Sequence, residues 1–222
     1  MLSLKHLCSF HFSMGKGETF RIGVLGSGNG TNLVAITDAI ARGEVPAEIA
    51  LVLSDVNEAE ILQHARRMGL KARHIAPGKY RTKLDEEAEE LYSNALQKAD
   101  VDLVVLAGFM RILKDELLKS FPGKVINIHP SLLPSFPGLE AWKQALDYGV
   151  KFTGVTVHFV NQGIDSGAII AQEPVPILQG DTSESLLDRI HQTEHRIYPK
   201  AITDIAEKRI ISKGRRTFHS QT

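Results

Sequence analysis

Between Arg21 and His129 the chain repeats one unit: a short run of apolar residues, a turn, and a longer amphipathic segment. The runs Arg21-Ile-Gly-Val-Leu25, Glu48-Ile-Ala-Leu-Val-Leu53, Val101-Asp-Leu-Val-Val-Leu-Ala107 and Lys124-Val-Ile-Asn-Ile128 are nearly continuous in hydrophobic residues. A strand with one wet face alternates apolar with polar, whereas a strand covered on both faces does not. Strands of the second kind, alternating with helices, build a mostly parallel sheet with helices above and below it.

The intervening segments fit. Leu33, Ile36 and Ile40 recur at helical spacing up to a natural stop at Gly43, and helices are predicted over 58–68, 83–98 and 114–120. Ala72-Arg-His-Ile75 reads as a short further strand. After residue 129 the rhythm changes. Gly154-Val-Thr-Val-His-Phe-Val160 alternates, and Ala168-Ile-Ile-Ala-Gln-Glu173 follows a glycine-containing loop, so the two form an antiparallel hairpin. A helical region starts at Ser183 and is either kinked or divided by Pro199. The expected fold is α/β and Rossmann-like, with helices on both sheet faces and an antiparallel hairpin towards the C-terminus. Residues 20–212 are read as one domain, 1–19 as a flexible extension, and 213–222 as a tail.

At 222 residues the chain can bury one α/β core. Its 26 basic and 26 acidic residues cancel, which argues against a dedicated nucleic-acid or membrane-surface protein. Cys8 is the single cysteine, so no internal disulfide forms, and no Cys/His spacing resembles a zinc site. The N-terminal stretch Met1–Ser13 superficially resembles a signal peptide. Lys5, His6 and His11 interrupt its apolar run, however, no small-residue cleavage site follows, and Met14 offers a second start. No apolar stretch reaches the roughly 20 residues needed to span a bilayer. The composition suits the cytoplasm.

Two polar clusters stand out. Gly26-Ser-Gly-Asn-Gly-Thr-Asn32 joins the first strand to the first helix. It is either an anion cradle, with the unpaired N–H groups of the helix start facing a phosphate, or a tight turn with a Thr/Asn cap. It is no Walker A loop, lacking the Lys-Ser/Thr pair, and its glycines do not follow G-x-G-x-x-G. Asp55 does stand about where a ribose-binding acid would.

The second cluster is Asn127, His129 and Asp165. Asn127 and His129 are two apart on a strand ended by Pro130, so both leave one sheet face at its terminus. A carboxylate beside an imidazole favours the charged ring, and imidazolium plus amide can donate to an oxyanion. No activated serine or cysteine is evident nearby, so direct transfer is expected. Each residue alone also has a bland reading as a structural hydrogen bonder. Ala107-Gly-Phe-Met-Arg-Ile-Leu113 reads either as core with Arg111 snorkelling outward or as an apolar slot for a flat heterocycle. On the late helix His191, Glu194 and His195 share a face, without further ligands for a metal.

Three strings carry a resemblance: Asn127-Ile-His-Pro-Ser-Leu-Leu-Pro134, Leu106-Ala-Gly-Phe-Met-Arg-Ile-Leu113 and His158-Phe-Val-Asn-Gln-Gly-Ile-Asp165. They resemble the 10-formyltetrahydrofolate-dependent formyltransferases. Gly28-Asn-Gly-Thr-Asn32 and Thr193-Glu-His-Arg-Ile-Tyr-Pro199 point, over residues 20–212, to the branch that formylates glycinamide ribonucleotide in purine synthesis. The resemblance implies Asn127, His129 and Asp165 as the catalytic trio. It implies Gly30, Thr31 and Asn32 at the substrate phosphate, and His191 and Glu194 at the glycinamide. Arg81, Met110, Arg111, Ile112 and Leu113 would meet the folate, together with Asn127 and the loop Asn161, Gln162, Gly163, Ile164 and Asp165. His191 departs from the family pattern. The co-substrate implied is 10-formyltetrahydrofolate, without a metal. The partners implied are small molecules, not nucleic acid or membrane, and a homodimer is allowed. The rival readings are a hydrolase that deformylates the same folate, an initiator-tRNA formyltransferase, and a non-catalytic nucleotide-binding module.

Overall fold

A computed structural model describes residues 19–220. The expected N-terminal extension lies outside the described residues, apart from Thr19. The strands are β1 (Phe20–Leu25), β2 (Ala47–Ser54), β3 (Ala72–His74), β4 (Leu103–Leu106), β5 (Val125–His129), β6 (Phe152–Phe159) and β7 (Ile169–Pro176), followed by β8 (Ile210–Lys213) and β9 (Arg216–His219). The helices are α1 (Thr31–Ala41), α2 (Glu60–Arg67), α3 (Glu86–Lys98), α4 (Asp115–Ser120), α5 (Ala141–Tyr148) and α6 (Ser183–Ala206).

The first seven strands form one sheet in the order β3-β2-β1-β4-β5-β6-β7. Neighbours among β1 to β5 are parallel, β6 runs antiparallel to β5, and β7 antiparallel to β6. The chain builds outward from β1 in one direction and then returns to build in the other. The switch point therefore lies between β1 and β4, where ligands of such sheets bind outside the strands' carboxyl ends. The Gly26–Gly30 loop leaves β1 at that point.

Period-two alternation divides the sheet into two faces. Ile22, Val24, Leu103, Val105, Ile126, Ile128, Val155 and Val157 point to one side and pack with α1, α2 and α6. Leu25, Leu53, Val104, Leu106 and Val125 point to the other, under α3 and α4. That second layer stops short of the far strands. On β5 and β6 the positions facing this side are Asn127, His129, Thr156 and His158, beyond the apolar layer that α3 and α4 cover. The face turns polar where its apolar cover ends.

α6 runs unbroken through Pro199, where the sequence offered a kink or a division. Proline in a helix interior costs about 3 kcal/mol. Ile190, Ile197, Ala201, Ile202 and Ile205 are buried on both sides of it, and each large side chain contributes about 2 kcal/mol, so packing wins. A Thr182 capping box starts this helix. α5, not anticipated from sequence, packs Trp142 and Leu146 against the same layer, and Trp142 Nε1 donates to Ser183 Oγ at 3.0 Å. Residues 213–219, read as tail, instead complete the β8–β9 hairpin across a Gly214-Arg215 turn, and Thr217 Oγ1 donates to the Ile169 carbonyl at 2.6 Å.

The buried Tyr198 hydroxyl of α6 lies 2.8 Å from the Leu106 carbonyl and 3.3 Å from that of Ile126, so it links helix, β4 and β5. Tyr198→Phe is expected to cost about 1–3 kcal/mol by leaving buried carbonyls short of a donor. Urea denaturation measures this, and a midpoint equal to wild type would remove the link from the fold's stability.

Candidate active site

Asn127 of β5 stands directly opposite His158 of β6, and His129 opposite Thr156, so all four side chains share this polar face. Pro130 then ends the strand and begins a loop that folds back over this face. Thr156 Oγ1 donates to the Ser131 carbonyl at 2.6 Å and accepts from Leu133 N at 3.1 Å and Gln172 Nε2 at 2.9 Å. Ser131 Oγ donates to the Ser135 carbonyl at 2.5 Å. Phe136 has a φ of 53°, unfavourable for a bulky residue, and Phe136 is the residue whose carbonyl reaches His129.

His129 Nε2 lies 2.9 Å from the Phe136 carbonyl, which can only accept, so Nε2 carries a hydrogen. Its Nδ1 lies 3.5 Å from Asp165 Oδ2. Nδ1 is the ring nitrogen that faces Asp165. The carboxylate is also fixed by Gly138 N–H, which donates to Oδ2 at 2.8 Å.

His158 is the residue that sequence reasoning missed. Its Nδ1 is 2.9 Å from the Phe159 carbonyl and therefore protonated. Its Nε2 lies 3.3 Å from Asn127 Nδ2 and 3.7 Å from Asp165 Oδ1. Burial holds the His158 pKa below the usual imidazole value, although its bond to Phe159 and the nearby Asp165 both oppose this. Neutral His158 keeps a lone pair on Nε2 and accepts one Asn127 N–H. This sets the amide's orientation and leaves its second N–H free. Its signal in the sequence was the alternation of Thr156 and His158 on an otherwise apolar strand.

Asp165 reaches this cluster from a loop tightly held by its own side chains. Asn161 Oδ1 accepts from Gly163 N at 3.0 Å and Ser166 Oγ at 2.9 Å, and Asp165 itself has a φ of 46°. Gly167 lies directly beneath the Phe159 carbonyl, in space that a Cβ would occupy. Gln162 Nε2 donates to Asp115 Oδ1 at 2.6 Å, and Ile164 is exposed.

At the switch point Gly30 adopts a φ of 75°, and α1 starts with no side-chain cap and no acidic residue in its first turn. The first N–H groups of this helix lack intrahelical partners. Nothing crowds the space beside Gly28. Among the loop's polar groups, Ser27 Oγ is already committed: it lies 2.5 Å from Asp55 Oδ1 and accepts from Met110 N at 2.8 Å. Asn32 turns inward, and its Nδ2 donates to Glu194 Oε2 at 2.8 Å, joining the glycine loop to α6. Its buried Oδ1 has no partner among the described residues. Burial pushes the Glu194 carboxyl up to about 7, against the Asn32 bond that lowers it. His191 stacks on His195, with centroids 6.2 Å apart, and burial lowers its pKa.

Arg111 does not snorkel outward. Its Nε donates to buried Asp55 at 2.6 Å, and its Nη1 reaches the carbonyl of Arg81. Both Asp55 oxygens are thereby taken, by Ser27 and Arg111, which removes the ribose-acid reading. Of the candidate slot, Met110 is exposed and Ile112 half-buried, while Leu113 lies in the core. Ile112 N donates to Thr82 O at 2.9 Å, so the exposed loop bearing Arg81 packs by its backbone on the slot segment. Among the described residues no group of three or more His, Cys, Asp or Glu is placed to hold a metal, and no helix is long and apolar enough to cross a membrane.

A carboxylate–histidine pair with an oriented amide can assist transfer at a carbonyl, and the start of α1 can take an anion. The formyl transferase family model matches residues 20–202, and the chain belongs to that family. Phosphoribosylglycinamide formyltransferase of Bacillus subtilis is 40% identical over 83% of this chain and 94% of its own. Glycinamide ribonucleotide transformylase 1 from Symbiobacterium toebii superposes with a TM-score of 0.88 at 49% identity, covering 93% of this chain and 96% of that one. A formyltetrahydrofolate deformylase from Pseudomonas syringae shares the fold at a TM-score of 0.84 but only 26% identity, with 92% of this chain and 67% of that one covered. The chain spans 18% of the length of the chicken trifunctional purine biosynthetic protein adenosine-3, to which it is 45% identical over 84% of its own length.

The raised Glu194 pKa carries a consequence for stability. Because the folded value exceeds the unfolded one, the stabilisation is complete below about pH 4.5 and is lost as pH rises through about 7. Glu194→Gln removes this dependence. Relative to wild type, the variant should gain up to roughly 3 kcal/mol between pH 4.5 and 8. Urea denaturation across that range checks it, and a constant difference would contradict the assignment.

Proposed function

We propose that this chain transfers the formyl group of 10-formyltetrahydrofolate to the amine of glycinamide ribonucleotide, a step of purine synthesis. The observation that carries this is the placement of the Asp165–His129 pair and the His158-oriented Asn127 on one sheet face, in a fold with an open helix start at its switch point.

The substrate phosphate lies on the free N–H groups at Thr31 and Asn32, which the helix start makes weakly positive. Glu194 and His191 face the glycinamide. The folate ring lies against Met110 and Ile112, with the 161–165 loop over it and Arg81 at the outer end. The amine nitrogen then attacks the formyl carbon, and the carbonyl electron pair moves to oxygen. That oxyanion accepts the free Asn127 N–H and a hydrogen from His129 Nδ1, held in place because Phe136 fixes Nε2. The amine becomes cationic in the intermediate. Its proton passes to N10 of the folate through the Asp165 carboxylate, directly or by water, as the C–N10 bond breaks. Products are the formylated amide and tetrahydrofolate. The reaction so read takes place among soluble metabolites and calls for neither nucleic acid nor membrane.

The second reading, folate deformylation, uses the same trio with water in place of the amine, and its support is the deformylase of like fold. The uncapped, uncrowded start of α1 favours a phosphorylated substrate. Formyl transfer measured with and without glycinamide ribonucleotide separates the two: amine-dependent loss of the formyl group is expected, and amine-independent hydrolysis as the main activity would reverse the reading. Asp165→Asn keeps the size and the Gly138 contact but loses the charge and the proton relay. It should cut kcat at least about a hundredfold in a folded protein. A near-normal rate would exclude Asp165 from the chemistry.

A further inference from the structure

We infer that Glu89 is a positioning residue for the formyl-donor slot, acting from behind it through the start of α4. The inference rests on the reading of the Met110–Leu113 segment as the wall of that slot.

Glu89 lies on α3 and is 3% exposed. One carboxylate oxygen accepts the Lys114 N–H, and the other accepts the Glu116 N–H at 3.2 Å. No cation pairs with it among the described residues. Burial pushes its carboxyl up, the bonds from Lys114 and Glu116 N–H oppose that push, and the charges of Asp115 and Glu116 add to it. A buried carboxylate without a cation is a costly group to keep. What offsets the cost is its hold on two backbone donors, and charge-assisted bonds of this kind are the strong ones.

α4 depends on that hold. It has six residues, too few to be stable alone, and its N-cap is Lys114, whose side chain cannot accept a bond. Glu89 supplies from a neighbouring helix the cap that the local sequence lacks. The segment between β4 and α4 is consequently pinned at successive points: Ser27 at Met110 N, Asp55 at the Arg111 side chain, Thr82 at Ile112 N, and Glu89 at Lys114 N and Glu116 N. The next link runs outward. Asp115, inside the turn that Glu89 caps, accepts from Gln162, and Gln162 belongs to the loop that carries Asp165. One buried carboxylate therefore sets the slot wall and, through Asp115, the loop that faces it.

Kinetics of purified variants test this. Glu89→Gln preserves volume but offers one oxygen to two N–H groups, so one donor meets an amide NH2. We expect the KM for 10-formyltetrahydrofolate to rise about tenfold, with kcat and the KM for glycinamide ribonucleotide changed by less than about threefold. Asp115→Ala cuts the outer link from the α4 side and should raise the same KM by a smaller factor. The double variant should fall short of the product of the two, because they lie on one chain of contacts. A purely structural role would lower the thermal midpoint while leaving both KM values alone, and that outcome overturns the inference. If Glu89→Gln does not fold, Asp115→Ala decides, and an unchanged folate KM in that variant also overturns it. Absence of formyl transfer by the wild-type enzyme removes the proposed function and the inference with it. Transfer with unaltered constants in the variants removes the inference alone.

Discussion

Buried polar side chains on a sheet gain from finding partners, and at Asn127, His129, Thr156 and His158 this requirement shapes the loops around them. Thr156 and His158 face the side where the α3–α4 layer has ended, as do Asn127 and His129. Water cannot satisfy Thr156 or His158, which are fully or almost fully buried. Thr156 is satisfied by Ser131, Leu133 and Gln172, and His158 by the Phe159 carbonyl and Asn127, while two loops close over the face. The 130–138 loop provides carbonyls at Ser131 and Phe136 and an N–H at Gly138, and the 160–167 loop provides Asp165. An unmade bond here would cost about 1–3 kcal/mol per group, enough to justify the positive φ angles at Phe136 and Asp165. The strain of the loops and the precision of the site have one cause.

The parallel core was legible in the sequence because its strands are apolar on both sides, a pattern that few other arrangements tolerate. Helix α5 was not, since only Ala141 and Ala145 are fully buried and Lys143, Gln144 and Asp147 interrupt the pattern. The β8–β9 hairpin escaped for a similar reason: Ile211 and Phe218 are exposed, so no apolar periodicity marks it. Among site residues, Asn127 and His129 could be paired from their spacing alone. The position of Asp165 beside them is now visible as geometry, but its part in the chemistry stays a proposal. His158 needed the register of β5 against β6, which is tertiary information. Glu89 is one of four glutamates within five residues, Glu86, Glu87, Glu89 and Glu90, and nothing local distinguishes the one that turns inward.

The two ends of the candidate site differ in how they treat charge. Around His129 and Asp165 the groups are braced against one another, so their orientation survives without a ligand. Asn32 and Glu194 are less complete. The Asn32 Oδ1 is buried and unpartnered, and the Glu194 carboxyl is held near neutrality by its surroundings. An incoming cationic or hydrogen-bonding group gains more at such a place than at one already satisfied. Asn32 and Glu194 are thus the less satisfied end of the candidate site.

The seven-stranded sheet ends at β3, three residues long, and at β7, which carries Pro174 and Pro176 and lies against the β8–β9 hairpin. Proline offers no N–H to a neighbouring strand, and a three-residue edge offers little ladder to extend. Neither border of the sheet invites another strand, whether from a second copy or from a chain fused alongside. A fold closed in this way can be carried as one segment of a larger polypeptide without sheets merging across the junction, and it leaves helix faces and loops as the surfaces through which neighbours meet.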